Sequence, residues 1–194
     1  MTEENKIIPF RLKNFLPAFL EMAKIVIIAL LIVMPIRYFL FQPFFVKGQS
    51  MEPNFYNGEY LIINEISYRF ESPQRGDIIV FKYPGNPSQR YIKRIIGLPG
   101  ETIEVKRNQI KIFPGGSAEP KILDESKYLP EGLVTTGDLK TALGINEYFV
   151  LGDNRLFSSD SRYWGTLSRE NIIGKVAVRL WPFAALAKIR APRY

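Results

Sequence analysis

The chain of 194 residues contains neither cysteine nor histidine, and its 26 basic and 19 acidic side chains give a formal net charge of +7. Without histidine there is no imidazole base, no Ser-His-Asp triad and no HExxH zinc site, and without cysteine there is no disulfide, thiolate metal site or thiol nucleophile. Any catalysis must therefore use Ser, Thr, Tyr, Lys, Asp or Glu. The positive charge is diffuse, with no run of three Lys or Arg. It favours a merely basic surface over a phosphate-binding patch, and we expect no nucleic-acid partner.

An apolar segment near the N-terminus predicts a membrane anchor. Residues 25–36 read IVIIALLIVMPI without a charge, and the chain stays largely apolar as far as Val46. A membrane-spanning helix needs about 20 mostly apolar residues. The helix must therefore continue beyond residues 25–36, either upstream or downstream. Lys24 or Arg37 would then lie near a helix end, from which its side chain can reach the lipid headgroups. The segment predicts one transmembrane helix.

The basic residues that flank this segment predict its orientation. Because the side richer in Lys and Arg stays in the cytoplasm, we assign residues 1–14 to a cytoplasmic tail, 15–45 to the anchor and 46–194 to an extracytoplasmic domain. The expected location is the cell (plasma) membrane in a single pass, with a thylakoid membrane as the alternative. The four basic residues before the apolar run and the two close behind it are Lys6, Arg11, Lys13 and Lys24, and then Arg37 and Lys47.

Two other interpretations of the apolar segment remain open. A cleavable signal peptide has an apolar core of similar length, and a core helix of a soluble domain has similar composition. The long charged leader, and the lack of a small-x-small cleavage pattern in residues 37–47, favour an uncleaved anchor.

Behind the anchor the sequence changes to short β-like runs separated by Gly and Pro, which predicts a mainly β fold built on an antiparallel β-sheet domain. In residues 103–112 the apolar positions alternate on either side of Lys106-Arg107-Asn108-Gln109, which predicts a hairpin with one apolar face. Residues 114–146 are less periodic and are predicted to form an excursion from the β core. The six runs rich in Ile, Val, Tyr and Phe are 60–66, 77–83, 91–97, 102–113, 147–152 and 175–181.

Two polar sites interrupt this apolar pattern. Ser50 lies in a short turn directly after the anchor and, taken alone, fits an ordinary solvated loop serine. Lys93 and Arg94 interrupt an apolar strand, so alternation turns one of the two cations toward the apolar side. Loss of solvation there lowers the pKa of a lysine toward the range in which it accepts a proton. The alternative is an edge strand from which both cations reach water.

A third polar cluster spans residues 152–165, between a predicted strand and an aromatic turn. It fits an Asx-type loop, or a hydrogen-bonded network that positions another group. Asp160 and Arg162, two residues apart, fit an ion pair that braces this loop.

Four motifs together resemble the bacterial type I signal peptidases, the membrane-bound serine proteases that remove signal peptides from exported proteins. They occur in the order of that family, behind an anchor at the matching position, and cover most of the chain from 15 to 181. The motifs are residues 50–53 (SMEP, for S-M-x-P), 76–81 (GDIIVF, for G-D-I-x-V-F), 93–101 (KRIIGLPGE, for K-R-x-x-G-x-P-G-D/E) and 152–162 (GDNRLFSSDSR, for G-D-N-R-x-x-S-x-D-S-R).

The resemblance implies a role for each matching residue. Ser50 is implied to be the nucleophile and Lys93 its general base, with Ser158 hydrogen-bonded to Lys93 to orient it. The Ser50 backbone N–H is implied to bind the oxyanion. Some family members carry a serine at the position of Gly48, as a second hydrogen-bond donor to the oxyanion. In this chain a backbone group or a water would have to replace that serine. The residues implied to brace the loop are Asp153, Arg155, Asp160 and Arg162.

The implied function is that of a membrane-bound serine endopeptidase that cleaves N-terminal signal peptides from exported preproteins. Its partners would be the lipid bilayer and preproteins with small residues at −1 and −3, held extended like an added β-strand. The resemblance implies no cofactor and no metal. The positions that match the family's apolar pockets, each of which also fits ordinary core, are Phe44, Val46, Met51, Phe55, Tyr91 and Ile92.

Alternatives from other classes remain. One is a catalytically silent, membrane-tethered β domain that binds exported chains, and the other is a carboxylate-metal hydrolase that uses Asp153, Asp160 or Glu101. Neither accounts for the four motifs together. The resemblance also admits a specialised relative with one or a few pilin-like or lumenal substrates. Residues 180–183 (LWPF) predict either an interfacial aromatic contact or a cap on the core.

Overall fold

The computed structural model describes residues 10–39, 41–115, 119–189 and 191–192. The chain divides into an N-terminal unit, Met1–Leu40, and a β domain, Phe41–Tyr194. In the N-terminal unit, helix α1 spans Phe10–Phe39, about 45 Å at 1.5 Å per residue. Its window Pro17–Met34 has a mean hydropathy of 2.3 and is long and apolar enough to cross a membrane. None of this window is buried, which is not the pattern of a core helix in a soluble domain.

The β domain consists of two antiparallel sheets, so the prediction of a mainly β, antiparallel fold is confirmed. In the larger sheet the strand order is β1-β2-β11-β3-β4-β9-β10, with β12 paired to β11, and in the smaller it is β7-β6-β5-β8. Each of the six predicted runs contains a strand. The strands are β1 (Phe41–Phe45), β2 (Tyr60–Asn64), β3 (Ile78–Tyr83), β4 (Asn86–Gly97), β5 (Thr102–Lys106), β6 (Gln109–Phe113), β7 (Lys121–Ile122), β8 (Leu139–Ala142), β9 (Glu147–Leu151), β10 (Leu167–Ser168), β11 (Ile172–Trp181) and β12 (Ala187–Lys188). The short helices of the β domain are α2 (Ser67–Phe70), α3 (Ser161–Trp164) and two 3₁₀ turns, Arg169–Asn171 and Phe183–Ala185.

The end of the predicted anchor is a strand. Residues 41–45, the last part of the predicted anchor, form β1 and pair with β2 from Phe41↔Asn64 to Phe45↔Tyr60. Hydrophobicity alone does not separate the last turns of a membrane helix from an apolar strand. Pro43 is tolerated because β1 lies at the edge of the sheet, where a missing N–H breaks no ladder.

The predicted hairpin is confirmed and forms the centre of the smaller sheet. Ile103 faces Ile112 and Val105 faces Ile110 across β5 and β6, and all four side chains are buried. The connecting turn, residues 107–108, has positive φ at both positions, the conformation of a two-residue type I′ turn. Strands β7 and β8 from the predicted excursion then pair with β6 and β5. Part of that segment therefore extends the smaller sheet rather than leaving the core.

The second half of β4 is buried on both faces, which corrects the prediction that one of two cations would face the apolar side. Ile92, Ile95 and Ile96 belong to three different hydrophobic clusters. Lys93 and Arg94 lie among them and are each only 3% exposed. Alternation indicates on which face a side chain lies, but it does not reveal that both faces of a central strand are covered.

Candidate active site

Ser50 lies in a turn that is fixed to the core. The backbone N–H of Phe55 donates to the carbonyl of Met51 at 2.9 Å, and both of these side chains are 1% exposed. The turn begins after Gly48, whose φ of +90° is in the region that favours glycine. The Gly48 N–H donates to Asn57 Oδ1 at 3.0 Å. The Gly48 N–H therefore already has an acceptor. A second hydrogen-bond donor to an oxyanion at Ser50 would have to be another group.

Lys93 approaches Ser50 from the middle of the larger sheet. Its Nζ donates to Ser50 Oγ at 2.7 Å and to the carbonyl of Ile92 at 2.9 Å. Burial lowers the pKa of Lys93 to about 8, although the negative charges of Asp160 and Asp153 raise it in part. A lysine with such a pKa is partly neutral near neutral pH, and 2.7 Å is within the range for direct proton transfer. The pair can therefore act as an alcohol and its base.

The polar loop, residues 152–162, is attached directly to the Ser50 turn. The backbone N–H of Asn154 donates to the carbonyl of Ser50 at 3.1 Å, and the Asn154 side-chain amide donates to the carbonyl of Gln49 at 3.1 Å. This loop therefore fixes the backbone that carries Ser50. The sequence alternative of an isolated Asx-type loop does not account for these contacts.

Asp153 connects the polar loop to β4. Its two carboxylate oxygens accept from Arg94, Nε at 2.8 Å and Nη2 at 2.6 Å, in a bidentate and fully buried pair. The Asn54 amide also donates to Asp153 at 2.8 Å and to the Tyr128 carbonyl at 2.7 Å. The sequence motifs assign no structural role to Arg94 or Asn54. No local pattern signals their contacts, because the partners are separated by 59 and 99 positions in the chain.

Two further ion pairs brace the loop. Arg155 is buried and pairs with Glu125 through Nη1 at 2.7 Å and Nη2 at 2.6 Å, and it also donates to the Thr135 hydroxyl. Asp160 and Arg162 form the predicted ion pair, at 2.8 Å from Nε to Oδ1, and Asp160 Oδ2 accepts from the Gly152 N–H at 3.1 Å. Glu125 lies in the predicted excursion, so that segment contributes a partner to the site.

Ser158 does not make the expected hydrogen bond to Lys93. Its side chain is 5% exposed, and among the described residues its Oγ has no hydrogen-bond partner. Lys93 donates instead to Ser50 and to the Ile92 carbonyl. The hydroxyl lies directly against Gly152, at 2.1 Å from where a Cβ at that glycine would stand. The structure thus places Ser158 next to the loop glycine and leaves its hydrogen-bonding capacity unused.

Replacing Gly152 by Ala is expected to slow any reaction at the Ser50 site about 100-fold or more. The added methyl group would lie 2.4 Å from the Ser50 carbonyl oxygen as well as against Ser158, so the turn that carries Ser50 must shift, and small misplacements of reacting groups cost about this much. The measurement is kcat/KM for the reaction that the sequence motifs imply for Ser50. Gly144→Ala is the matched control, because the nearest neighbours of its methyl group are side-chain atoms of Glu147, at 3.2 Å and beyond, rather than the backbone of the Ser50 turn. Full activity of Gly152→Ala would show that this close approach is unimportant.

A cleft of about 740 Å³ opens onto Ser50 and Lys93. Of the predicted pocket residues, Phe44, Tyr91 and Ile92 line it. The other three do not line it and are corrected to core, since each is 1% exposed within one hydrophobic cluster; they are Val46, Met51 and Phe55. Their apolar character predicted burial equally well in a pocket or in the core, and only the packing separates the two.

Two strand edges in this cleft lack a strand partner among the described residues. Strand β4 pairs with β9 only from Arg94 onward, so residues 90–93, which line the cleft, pair with β3 on one side only. Strand β1 pairs with β2 alone and lines the cleft through residues 43–45. Unpaired backbone groups at such edges can bind an extended peptide by strand addition.

The carboxylates named for a metal-dependent alternative do not converge. Asp153 pairs with Arg94, Asp160 with Arg162 and Glu101 with Arg75. Within the described part of the chain there is no group of three or more acidic side chains that could hold a metal ion. Each carboxylate therefore serves as the partner of a different arginine.

Known proteins resemble this chain along most of its length. A family model described as "Signal peptidase, peptidase S26" matches residues 19–181. A probable signal peptidase I-2 of Synechocystis sp. is 38% identical over 168 residues, 84% of this chain and 73% of that protein. Signal peptidase I V of Bacillus subtilis is 37% identical over 158 residues, 78% of this chain and 92% of that protein. The crystal structure of a signal peptidase I from Enterococcus faecalis V583 aligns at 34% identity with a TM-score of 0.44, over 54% of this chain and 97% of that one. Because the family model matches well over half of its residues, this chain belongs to the peptidase S26 family of signal peptidases.

Proposed function

We propose that this protein is a membrane-tethered serine endopeptidase that removes N-terminal signal peptides from exported preproteins, with Ser50 as the nucleophile and Lys93 as the general base. The observation that carries the assignment is the 2.7 Å contact between Lys93 Nζ and Ser50 Oγ, made by a lysine whose pKa is lowered to about 8. Membership of the family and relatives named signal peptidase I support the substrate class.

The reaction begins with the neutral amine of Lys93. It takes the proton of Ser50 as Oγ attacks the carbonyl carbon before the scissile bond, and the Ser50 backbone N–H donates to the oxyanion that forms. The resulting ammonium of Lys93 gives its proton to the departing amine, which becomes the N-terminus of the mature protein. Lys93 then deprotonates a water, which hydrolyses the ester on Ser50 and releases the signal peptide.

The polar loop serves as positioning machinery for this reaction. Asp153, Arg155, Asp160 and Arg162 brace it, and its contact with the Ser50 carbonyl fixes the nucleophile turn. Ser158 is proposed as a positioning residue. Its buried hydroxyl has unused hydrogen-bonding capacity, which suits a group that receives Lys93 Nζ once the Ser50 oxygen is part of the acyl-enzyme.

The substrate is proposed to bind in the cleft as an extended strand along the free edges of β1 and β4. The side chains at −1 and −3 point to the same side of an extended peptide. The wall formed by Phe44 and Ile92, which belong to or pack against the same hydrophobic cluster, is apolar and already filled by large side chains, which favours small residues at those two positions. Tyr91, the neighbour of Ile92 on β4, faces the opposite side of the strand and packs against another cluster.

Two apolar features support attachment to a lipid bilayer. Helix α1 provides a span of sufficient length, with its N-terminus assigned to the cytoplasm and the β domain to the outer side of the cell membrane, or to the lumen of a thylakoid. On the β domain, Trp181 and Phe183 are 48% and 74% exposed and contact each other edge to face at 4.9 Å. Their exposure favours an interfacial contact over a cap on the core.

The proposal is tested with the full chain solubilised in detergent and a preprotein substrate. We expect cleavage directly after a small −1 residue, identified by sequencing the new N-terminus of the product. Ser50→Ala should abolish it, and a chelator should leave it unchanged. A wild-type protein that binds the preprotein without cutting it would favour the silent binding domain, and sensitivity to the chelator would favour a metal-dependent hydrolase.

The rate of cleavage is expected to rise with pH up to about 8 and then to level off. Only neutral Lys93 can act as base, and below its pKa of about 8 the neutral fraction falls about tenfold per pH unit. The measurement is kcat/KM from pH 5.5 to 9.5, with circular dichroism at each pH to verify that the protein stays folded. A profile that is flat over this range would exclude Lys93 as the base.

A further inference from the structure

The cleft contains an aromatic side chain that the mechanism does not use. Phe157 lines the cleft together with Ser50 and Lys93, yet its side chain is 72% exposed. Apolar surface of this size gains free energy when another apolar group covers it. Its neighbour Leu156 is also exposed, at 61%, but does not line the cleft.

Phe157 is held at a fixed place relative to the nucleophile. Its backbone N–H donates to the carbonyl and to the side-chain oxygen of Asn154, at 3.2 and 3.3 Å. Asn154 in turn donates to the carbonyl of Ser50. The residues that flank the exposed pair, Arg155 and Ser158, are both buried. The loop therefore presents the Phe157 ring from a braced backbone, as a specificity contact requires.

The periodicity of an extended substrate indicates which of its side chains this ring can contact. Successive side chains of a strand point to opposite faces. If the residues at −1 and −3 face the wall formed by Phe44 and Ile92, then those at −2 and +1 face the other way. Phe157 lines the same cleft from a separate element, the polar loop, rather than from β1 or β4.

We propose that Phe157 is a specificity-determining residue that packs against an apolar substrate side chain at −2 or +1. This inference rests on the proposed function, in which an extended peptide is cut at the Ser50 site. It adds a preference for a larger apolar side chain at −2, which lies between the two small residues, or at +1, which follows the small residue at −1. The contact is made in the ground-state complex, so it acts on KM more than on kcat.

The test uses the full chain in detergent and preproteins with Ala at −1 and −3. The substrates carry Ala or Leu at −2 in one series and Ala or Leu at +1 in the other. For the wild type we expect a higher kcat/KM with Leu in one series, and Phe157→Ala should lower that Leu-to-Ala ratio about tenfold, through KM. Phe157→Leu should retain most of the preference. Leu156→Ala, an equally exposed neighbour outside the cleft, should leave the ratio unchanged.

Two results would overturn the proposal. One is a Leu-to-Ala ratio in Phe157→Ala equal to that of the wild type in both series. The other is an equal loss of kcat/KM for the Ala and Leu substrates, which would mean that the ring shapes the loop rather than binding the substrate. Failure of the proposed function looks different, because the wild type would then cut none of the four substrates, or Ser50→Ala would cut them as well.

Discussion

Replacing Lys93 by Met is expected to abolish cleavage while making the folded domain more stable. The activity should fall about 10⁴-fold or more, as when other proteases lose the base that activates their nucleophile. In the same variant, the free energy of unfolding near pH 7 should rise by about 1–3 kcal/mol. The side chain proposed as the general base is therefore expected to lower the stability of the fold.

The gain in stability follows from the depressed pKa of Lys93. Burial lowers it from 10.5 to about 8. Above pH 10.5 the lysine is neutral in both the folded and the unfolded chain, and its titration costs nothing. As the pH falls from 10.5 to 8 the unfolded chain takes up a proton that the folded one does not, so stability is lost across this window. Below pH 8 the cost is complete, at about 3 kcal/mol, and the lost hydrogen bonds to Ser50 and Ile92 reduce the net gain of Met.

The measurement is urea unfolding of wild type and Lys93→Met at pH 7 and at pH 10 or above. The difference in stability should be largest at pH 7 and shrink as the pH approaches 10.5. Lys82→Met, at an exposed lysine on the adjacent strand β3, is the control and should change neither activity nor stability appreciably. If Lys93→Met is less stable than wild type at pH 7, the ammonium is not penalised by burial and the explanation of its pKa is wrong.

The second large effect is expected at the ion pair between Arg94 and Asp153. Truncating either partner to Ala should cost about 3–5 kcal/mol of folding free energy, because it leaves an uncompensated charge in the interior. The side chains are 3% and 0% exposed, and the carboxylate is bound bidentately. The same pair attaches the polar loop to β4, so activity should fall together with stability.

A double-mutant cycle measures the interaction energy between Arg94 and Asp153 separately from the contribution of each residue. The variant that carries both Arg94→Ala and Asp153→Ala removes both charges and should lose clearly less stability than the sum of the losses of the two single variants. The exposed pair between Lys106 and Asp138, at 3.8 Å, is the matched control, and Lys106→Ala should cost less than about 1 kcal/mol. Additive losses at Arg94 and Asp153 would contradict the assignment of a coupled, buried pair.

The sequence predicted those parts of the fold that depend on local patterns. The six apolar runs became strands, and the alternation around residues 107–108 predicted both the hairpin and its buried face. The boundary of the anchor was wrong by one strand, since an apolar stretch that contains Pro43 fits either a helix end or the edge strand β1. The partial strand pairing of residues 114–146 was also missed, because its two strands are short and lack periodicity.

The predictions about the candidate site also divide into those that depend on local motifs and those that depend on tertiary contacts. The motifs indicated Ser50 and Lys93, and these two side chains lie within hydrogen-bond distance. The expected bond from Ser158 to Lys93 is absent, and three of the six proposed pocket residues are core. In both cases the residue type was compatible with either place, and the choice depends on neighbours that are distant in the chain.

By itself, the sequence determined the chemistry that was available and the local structure. The absence of His and Cys removes imidazole and thiolate from the possible bases, and the periods of apolar residues specify an apolar helix followed by β-strands. Only the tertiary structure decided that Lys93 and Arg94 are both buried, that Arg94 pairs with Asp153 and Arg155 with Glu125, and that Phe157 lines the cleft. The physical reason is that burial and charge pairing depend on which strands and loops cover a residue. Side-chain alternation along one strand carries no information about that cover.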